Sequence, residues 1–267
     1  MRKQLFFWAA LLMVSALVSC SKDSDTPSGG DNSVDRSANL LSAGSSGSDI
    51  LTNENFDRIV IEIAYVEGFR PTATALENLR TFLLERTFKE DISFTYRSLP
   101  SPEEETLTLQ EIATLETDNR TLYNDGRTLA FYIYFADAPS DGDEPSENLV
   151  TLGAVYRNTS MIIHESTIRD LASRSVVITV SDVETTTLTH EFGHLFGLVD
   201  LGTPEVNPHE DAASSNHCNV EGCLMRAELE FGSGIMSIME KRTAKGLEGL
   251  PALDAECLLD LQAIGGR

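Results

Sequence analysis

The stretch HEFGHLFGLVD, residues 190–200, limits the folds open to this chain more than any other. It reads as a helix. Ser181 or Asp182 offers an N-cap, and Phe192, Leu195, Phe196 and Leu198 form an apolar side that must be buried, so the helix is expected to reach about Leu198 inside a core. Residues four apart lie one turn apart on the same face, so His190 and His194 can point at one metal ion. Zinc suits two neutral imidazoles and leaves room for a third protein ligand and a water. Glu191 stands about 100° round the helix from His190, near the metal's open position and not on the metal. A carboxylate there can take a proton from water and give it to a leaving amine, which is the general-base arrangement of zinc peptidases.

The third ligand has to come from beyond the helix. Gly197 lets the chain turn off sharply, because glycine tolerates positive φ. Asp200 can then swing back, and its spacing makes it the expected third ligand. His209 and His217 are the alternatives, since imidazole is the commoner zinc partner. If either binds, Asp200 would serve to orient a ligand. His164 falls in a strand reading and is taken as structural.

The rest of the chain supplies the frame. Residues 58–68, 92–99, 128–137, 149–157 and 160–166 read as strands from their β-branched, aromatic or alternating character. Residues 71–88 carry Leu76, Leu79, Phe82 and Leu83 at helical spacing, and residues 102–120 begin with acidic residues that favour a helix start. The polar loop 139–148 lacks a strict calcium-loop pattern and reads as solvated. The order predicts an α/β (α+β) fold: a mixed, mostly parallel sheet with an active-site helix, then a smaller, irregular C-terminal lobe with a short helix near 251–264. The domain is placed at 51–267, with an upper lobe 51–200 and a lower lobe 201–267.

At these residues a family resemblance enters. HEFGHLFGLVD matches the extended metzincin pattern HExxHxxGxx(H/D), with aspartate in the third place as in the snapalysin-like branch. HCNVEGCLM, residues 217–225, resembles the archaemetzincin segment HCx4CxM. The resemblance covers 58–264 in outline, with specific residues between 190 and 257. It implies that 151–156 is an edge strand pairing with substrate backbone. It implies that Met225 is the methionine under the catalytic metal, with Met236 as second choice. It also implies a second, structural zinc. DAEC, residues 254–257, stands where archaemetzincins have CxxC, so Cys218, Cys223, Cys257 and Asp254 would supply that site. The competing account is a Cys218–Cys223 disulfide with Cys257 free, which an extracellular setting favours. The chain also departs from the family. The archaemetzincin third ligand is a histidine directly before the first cysteine, whereas here Asp200 takes the near place and the HC pair comes seventeen residues later. No tyrosine follows Met225 to stabilise an oxyanion.

The N-terminus is a separate object. Arg2 and Lys3 precede an apolar run, 5–18, too short for a comfortable membrane span. LVSC, ending at Cys20, resembles the lipobox of bacterial lipoproteins, which implies cleavage before Cys20, its lipidation and anchoring to the bilayer at the cell envelope, outer membrane or surface. Residues 1–20 are the expected signal, and the Ser-, Gly- and Asp-rich residues 21–50 a flexible tether. With 42 acidic residues against 20 basic, the net charge of -22 argues against a nucleic-acid partner. The expectation is therefore a monomeric, lipid-anchored zinc peptidase acting on peptide or protein substrates, an endopeptidase in preference to an exopeptidase. The competing reading is a non-catalytic surface binding module that retains a structural zinc, or a site closed by four protein ligands. Glu191 argues against the binding module, since a structural site has no use for a general base, and access of water to the zinc separates an open site from one closed by His190, His194, Asp200 and His209 or His217.

Overall fold

The computed structural model describes residues 36–144, 146, 149–230, 232–247 and 250–267. The signal and the lipidation site expected at Cys20 lie outside the described residues. Five strands form one sheet: β1 (Arg58–Val66), β2 (Asp91–Leu99), β3 (Thr128–Phe135), β4 (Gly153–Arg157) and β5 (Ser160–Ile163), in the order β2-β1-β3-β5-β4. All neighbours are parallel except β4, which runs antiparallel along the outer edge of β5.

A parallel sheet is covered on both faces, so its inner strands read as continuous apolar runs. In β3 alternate residues go to opposite layers. Leu129, Phe131, Ile133 and Phe135 enter one core, and Tyr132 and Tyr134 enter the other. The first layer is built by α2 (Ala73–Arg86), α4 (Glu165–Ser173) and α5 (Val180–Leu195), and the second by α3 (Leu109–Asn119). Each large side chain fully withdrawn from water in these cores is worth about 1.5–3 kcal/mol.

Local chemistry sets the helix starts. Thr72 caps α2, and Thr108 with Glu111 and Thr179 with Asp182 form reciprocal capping boxes at α3 and α5. The α5 start is thus Thr179 and not Ser181 or Asp182. The acidic run Glu103–Glu105 lies outside α3, whose start the Thr108 box determines. Helix α4 is absent from the sequence expectation, which ran the preceding strand through Ser166. The chain instead turns at His164, and Ile168, Leu171 and Ala172 bury a helical face.

The C-terminal part is more regular than expected. It holds a hairpin of β6 (Glu210–Asp211) and β7 (Ser214–Cys218), then α6 (Gly232–Ala244) and α7 (Ala255–Ala263). Met225, Ile235, Cys257 and Leu261 share one core with the sheet.

The tether expectation is also corrected. Residues 37–51 belong to the domain, with a 3-10 turn at Ser37–Asn39 and a short helix, α1 (Gly47–Leu51). Asn39, Ile50 and Leu51 are fully buried. Among the described residues no helix is long and apolar enough to cross a membrane.

Candidate metal centres and cleft

Helix α5 delivers two imidazoles and a carboxyl to one place. Its C-terminus closes with paired bonds from Gly197 N to His194 O (3.0 Å) and from Leu198 N to Gly193 O (3.1 Å), with Gly197 left-handed at φ 83°. Gly197 thus acts as the sequence predicts. Asp200 does not. Val199 and Asp200 are themselves left-handed, at φ 57° and 63°, and these two residues turn the chain so that Asp200 is exposed. The structure puts His217 beside His190 and His194, where Asp200 was expected. Asn216, left-handed at φ 63°, precedes His217 on β7 and re-aims the strand there.

The three histidines offer ligand nitrogens that all lie within 4.8 Å of one another. His190 Nδ1 donates to Leu224 O at 2.7 Å, and His217 Nδ1 donates to Ser215 O at 2.9 Å. A carbonyl can only accept, so both rings carry a proton on Nδ1; that leaves Nε2 of His190 with a free lone pair, while Nε2 of His217 faces Glu230. His190 Nε2 and His194 Nε2 stand 3.1 Å apart. Two imidazoles at about 2.0–2.1 Å from one tetrahedral zinc stand about 3.3 Å apart, so the spacing fits zinc. His194 Nδ1 is buried without a hydrogen-bond partner.

Burial, then the neighbouring His217, lowers the His190 pKa to about 4, and burial with His190 and His217 holds His194 well below its usual value. Both are neutral at physiological pH, as a metal ligand must be. Burial also pulls on His217, but Glu230 outweighs it and raises the pKa; Glu230 Oε2 lies 2.9 Å from His217 Nε2.

Glu191 is fully buried. Burial, then the charge of Glu230, pushes its carboxyl well above the usual range, against the backbone amide of Val155. β4 crosses directly above it. A Cβ on Gly153 would stand 2.9 Å from Thr187 Cγ2 and 3.1 Å from Glu191 Cγ, so a side chain there would push on Glu191 and its neighbour. Between β4, α5 and β7 lies a cleft of ≈ 230 Å³ whose walls include Val155, Glu191, His194, His217 and Glu230. The outer edge of β4 has no strand partner among the described residues. Glu230 escaped the sequence reading, since RAELE carries no spacing that marks it.

Met225 lies beneath the metal helix. A Cβ on Gly193 would run into its sulfur, so the glycine between the two histidines makes the space that Met225 fills. Met236 lies on α6, partly buried against the core.

The second cluster is Cys218, Cys223, Cys257 and Asp254, again with ligand atoms within 4.8 Å of one another. All three cysteines are free and buried, so the structure does not form the alternative Cys218–Cys223 disulfide. Cys223 Sγ and Cys257 Sγ are 3.6 Å apart, and Cys218 Sγ lies 3.0 Å from Asp254 Oδ2. Two thiolates at about 2.3 Å from a tetrahedral zinc stand about 3.8 Å apart, whereas a disulfide needs about 2.05 Å. Backbone amides of Val220 and Met225 donate to Cys218 Sγ and Cys223 Sγ, both at 3.3 Å. Thiol donors from Cys223 and Cys257 hold the Cys218 thiol far below its usual range, which pushes the other two up. Asp254 has two tasks: Oδ1 accepts from Glu256 N and Cys257 N at the start of α7, and Oδ2 faces Cys218. His209 packs on this cluster, with Nε2 3.5 Å from Cys257 Sγ, and is not part of the histidine trio. His164 bonds Ala138 O through Nδ1 at 2.9 Å.

No protein-family model and no curated protein matches the sequence. Among solved structures, an archaemetzincin from Methanopyrus kandleri aligns over 78% of this chain and 96% of its own, at 13% identity and a TM-score of 0.48. Metalloproteinase-II from Bacteroides fragilis aligns over 80% of this chain and 55% of its own, at 12% identity and a TM-score of 0.42.

Proposed function

We propose that this chain is a zinc-dependent peptidase, held at the cell envelope by lipid on Cys20. One juxtaposition carries the reading: three imidazoles converge beside the Glu191 carboxyl, in a cleft under the edge of β4 that has no strand partner among the described residues. Zinc on those nitrogens would polarise the scissile carbonyl and lower the pKa of the attacking water. An extended peptide can pair with the β4 edge, which fixes its backbone over Glu191. Glu191 takes the proton from water and passes it to the leaving amine. Its raised pKa suits a group that has to hold the proton between those steps, and a bound dication would draw it down toward ionisation. Ser215 and Leu224 carbonyls keep His217 and His190 in the tautomer the centre needs. In the second cluster, three thiols, a carboxylate and two amide donors form a set suited to a closed, structural zinc.

The test is Glu191→Ala with a peptide library, with and without chelator. Wild-type protein should cleave in a chelator-sensitive way. The variant should keep its zinc and lose about 10²–10⁴-fold in rate, the usual contribution of general acid–base catalysis. Cleavage retained by the variant would sink the mechanism. No chelator-sensitive cleavage by the wild type would favour a binding module.

A further inference from the structure

Residues 37–51 run from the β4–β5 turn to the loop after α5, and both ends of that run are pinned. At the first end Asn158 grips the backbone: its Oδ1 accepts from Leu41 N at 3.1 Å, its N–H donates to Leu41 O at 3.0 Å, and its Nδ2 donates to Ala38 O at 2.8 Å. Asn39 is fully buried and donates to Asn124 Oδ1, Ala130 O and Thr159 Oγ1. At the second end the chain crosses the post-helix loop where both strands of the crossing are glycine. A Cβ on Gly44 would run into the Leu201 carbonyl, one on Gly197 would stand 3.0 Å from Gly44 O, and one on Gly202 would stand 2.9 Å from it. Between the two anchors Ala43 faces the metal cleft, together with Ala154, Val155 and Leu201.

We infer that this N-terminal strap is the wall closing one end of the substrate cleft, and that Ala43 sets the size of side chain admitted there. The inference rests on the peptidase reading and names its substrate class: peptides with a small apolar residue at that end. Three of the walls there are small or apolar side chains (Ala43, Ala154 and Val155), and the whole cleft is only ≈ 230 Å³. The strap cannot retreat to make room, because the glycine crossing packs backbone on backbone and Asn158 holds the other side. A bulky side chain therefore meets Ala43 against a rigid support. Apolar pockets discriminate by about 10–200-fold per methylene, so the methyl group of Ala43 is enough to produce a measurable preference.

The experiment uses the zinc-loaded chain and its Ala43→Gly and Ala43→Phe variants. Two paired peptide series, one with alanine and one with phenylalanine at each position flanking the cut, are compared by kcat/KM. The matching peptide hydroxamates are compared by binding, which needs no turnover. At one flanking position the ratio of alanine to phenylalanine preference should fall about 10-fold or more in Ala43→Gly and rise by a similar factor in Ala43→Phe, through KM in preference to kcat. Equal ratios in all three proteins overturn the inference while leaving the peptidase reading intact. Hydroxamate binding that follows residue 43, with no cleavage by any of the three, upholds the wall and overturns the peptidase reading. If Ala43→Phe melts below the wild type, Ala43→Gly alone decides.

Discussion

The two donor clusters are built from the same short piece of chain and end up with opposite characters. His217 and Cys218 are adjacent, and Cys223 is followed by Leu224, whose carbonyl orients His190, and by Met225, which fills the space under Gly193. The histidine trio opens on a cleft and has two carboxylates beside it, Glu191 and Glu230. The cysteine cluster is enclosed, its sulfurs accept backbone amides, and its carboxylate doubles as a helix cap. A metal site is chemical when a position is left open and structural when every position is filled by protein. What separates these two is therefore access and the company of carboxylates, more than ligand type. The shared segment also means that the closed cluster sets the geometry of the open one.

The hardest test of that division is Cys257→Ser. Removing a ligand from a closed structural site should cost about 3 kcal/mol or more, or about 10 °C in melting midpoint for a domain of this size. It should also weaken cobalt binding at the histidine trio, read from its visible spectrum, because Leu224 and His217 lose their support. An unchanged melting midpoint would make the cluster dispensable and break the comparison. Next in size is the choice of third ligand. His217→Ala should lower zinc affinity at the trio by at least 10–100-fold, more than the loss of a ligand's hydrogen-bonding partner. Asp200→Ala should leave affinity within about 2-fold; the reverse result would return Asp200 to the place its spacing suggested. Gly193→Ala should then cost about 1–3 kcal/mol by overpacking against Met225, with a fall in metal affinity at the trio.

The smallest effect is one of pH on metal-free protein. The pKa of His190 falls on folding from an ordinary value near 6.5 to about 4, and that of His194 falls with it. The folded state then binds fewer protons than the unfolded state between those values. The stability tied to these rings is present above about 6.5 and is lost as pH falls toward about 4. Cys218, whose pKa is also lowered on folding, adds to the decline with or without those two rings. Melting midpoints of chelated protein should decline across that window, and less steeply in a His190→Gln, His194→Gln double variant. Equal slopes in the two would assign the acid sensitivity elsewhere.

Much of this was legible in the order of residues, for local reasons. Apolar runs gave the sheet strands, helical spacing gave α2, and the i, i+4 histidines placed two ligands on one helix face with Glu191 beside them. Met225 could be found from the CxM spacing. The misses share one feature: they depend on contacts distant in sequence. α4 is a short helix whose register is set by burial of Ile168 and Leu171 against the α5 layer. The strap looked like a tether because its Ser and Gly content has few apolar residues, yet that content permits the backbone crossing at Gly44.

The sequence by itself determined that a helix would carry two imidazoles and a carboxylate to one place, since three residues within five positions on an α-helix have almost no geometric freedom. It also determined that four sulfur and oxygen donors were available downstream. The tertiary structure alone decided which histidine joined the pair. Asp200 is nearer in sequence, but left-handed residues at 199 and 200 turn it to solvent, and a hairpin brings His217 across 23 residues from His194. Chain proximity favours Asp200 only by a small closure entropy; the packing of β7 and Met225 against α5 outweighs it.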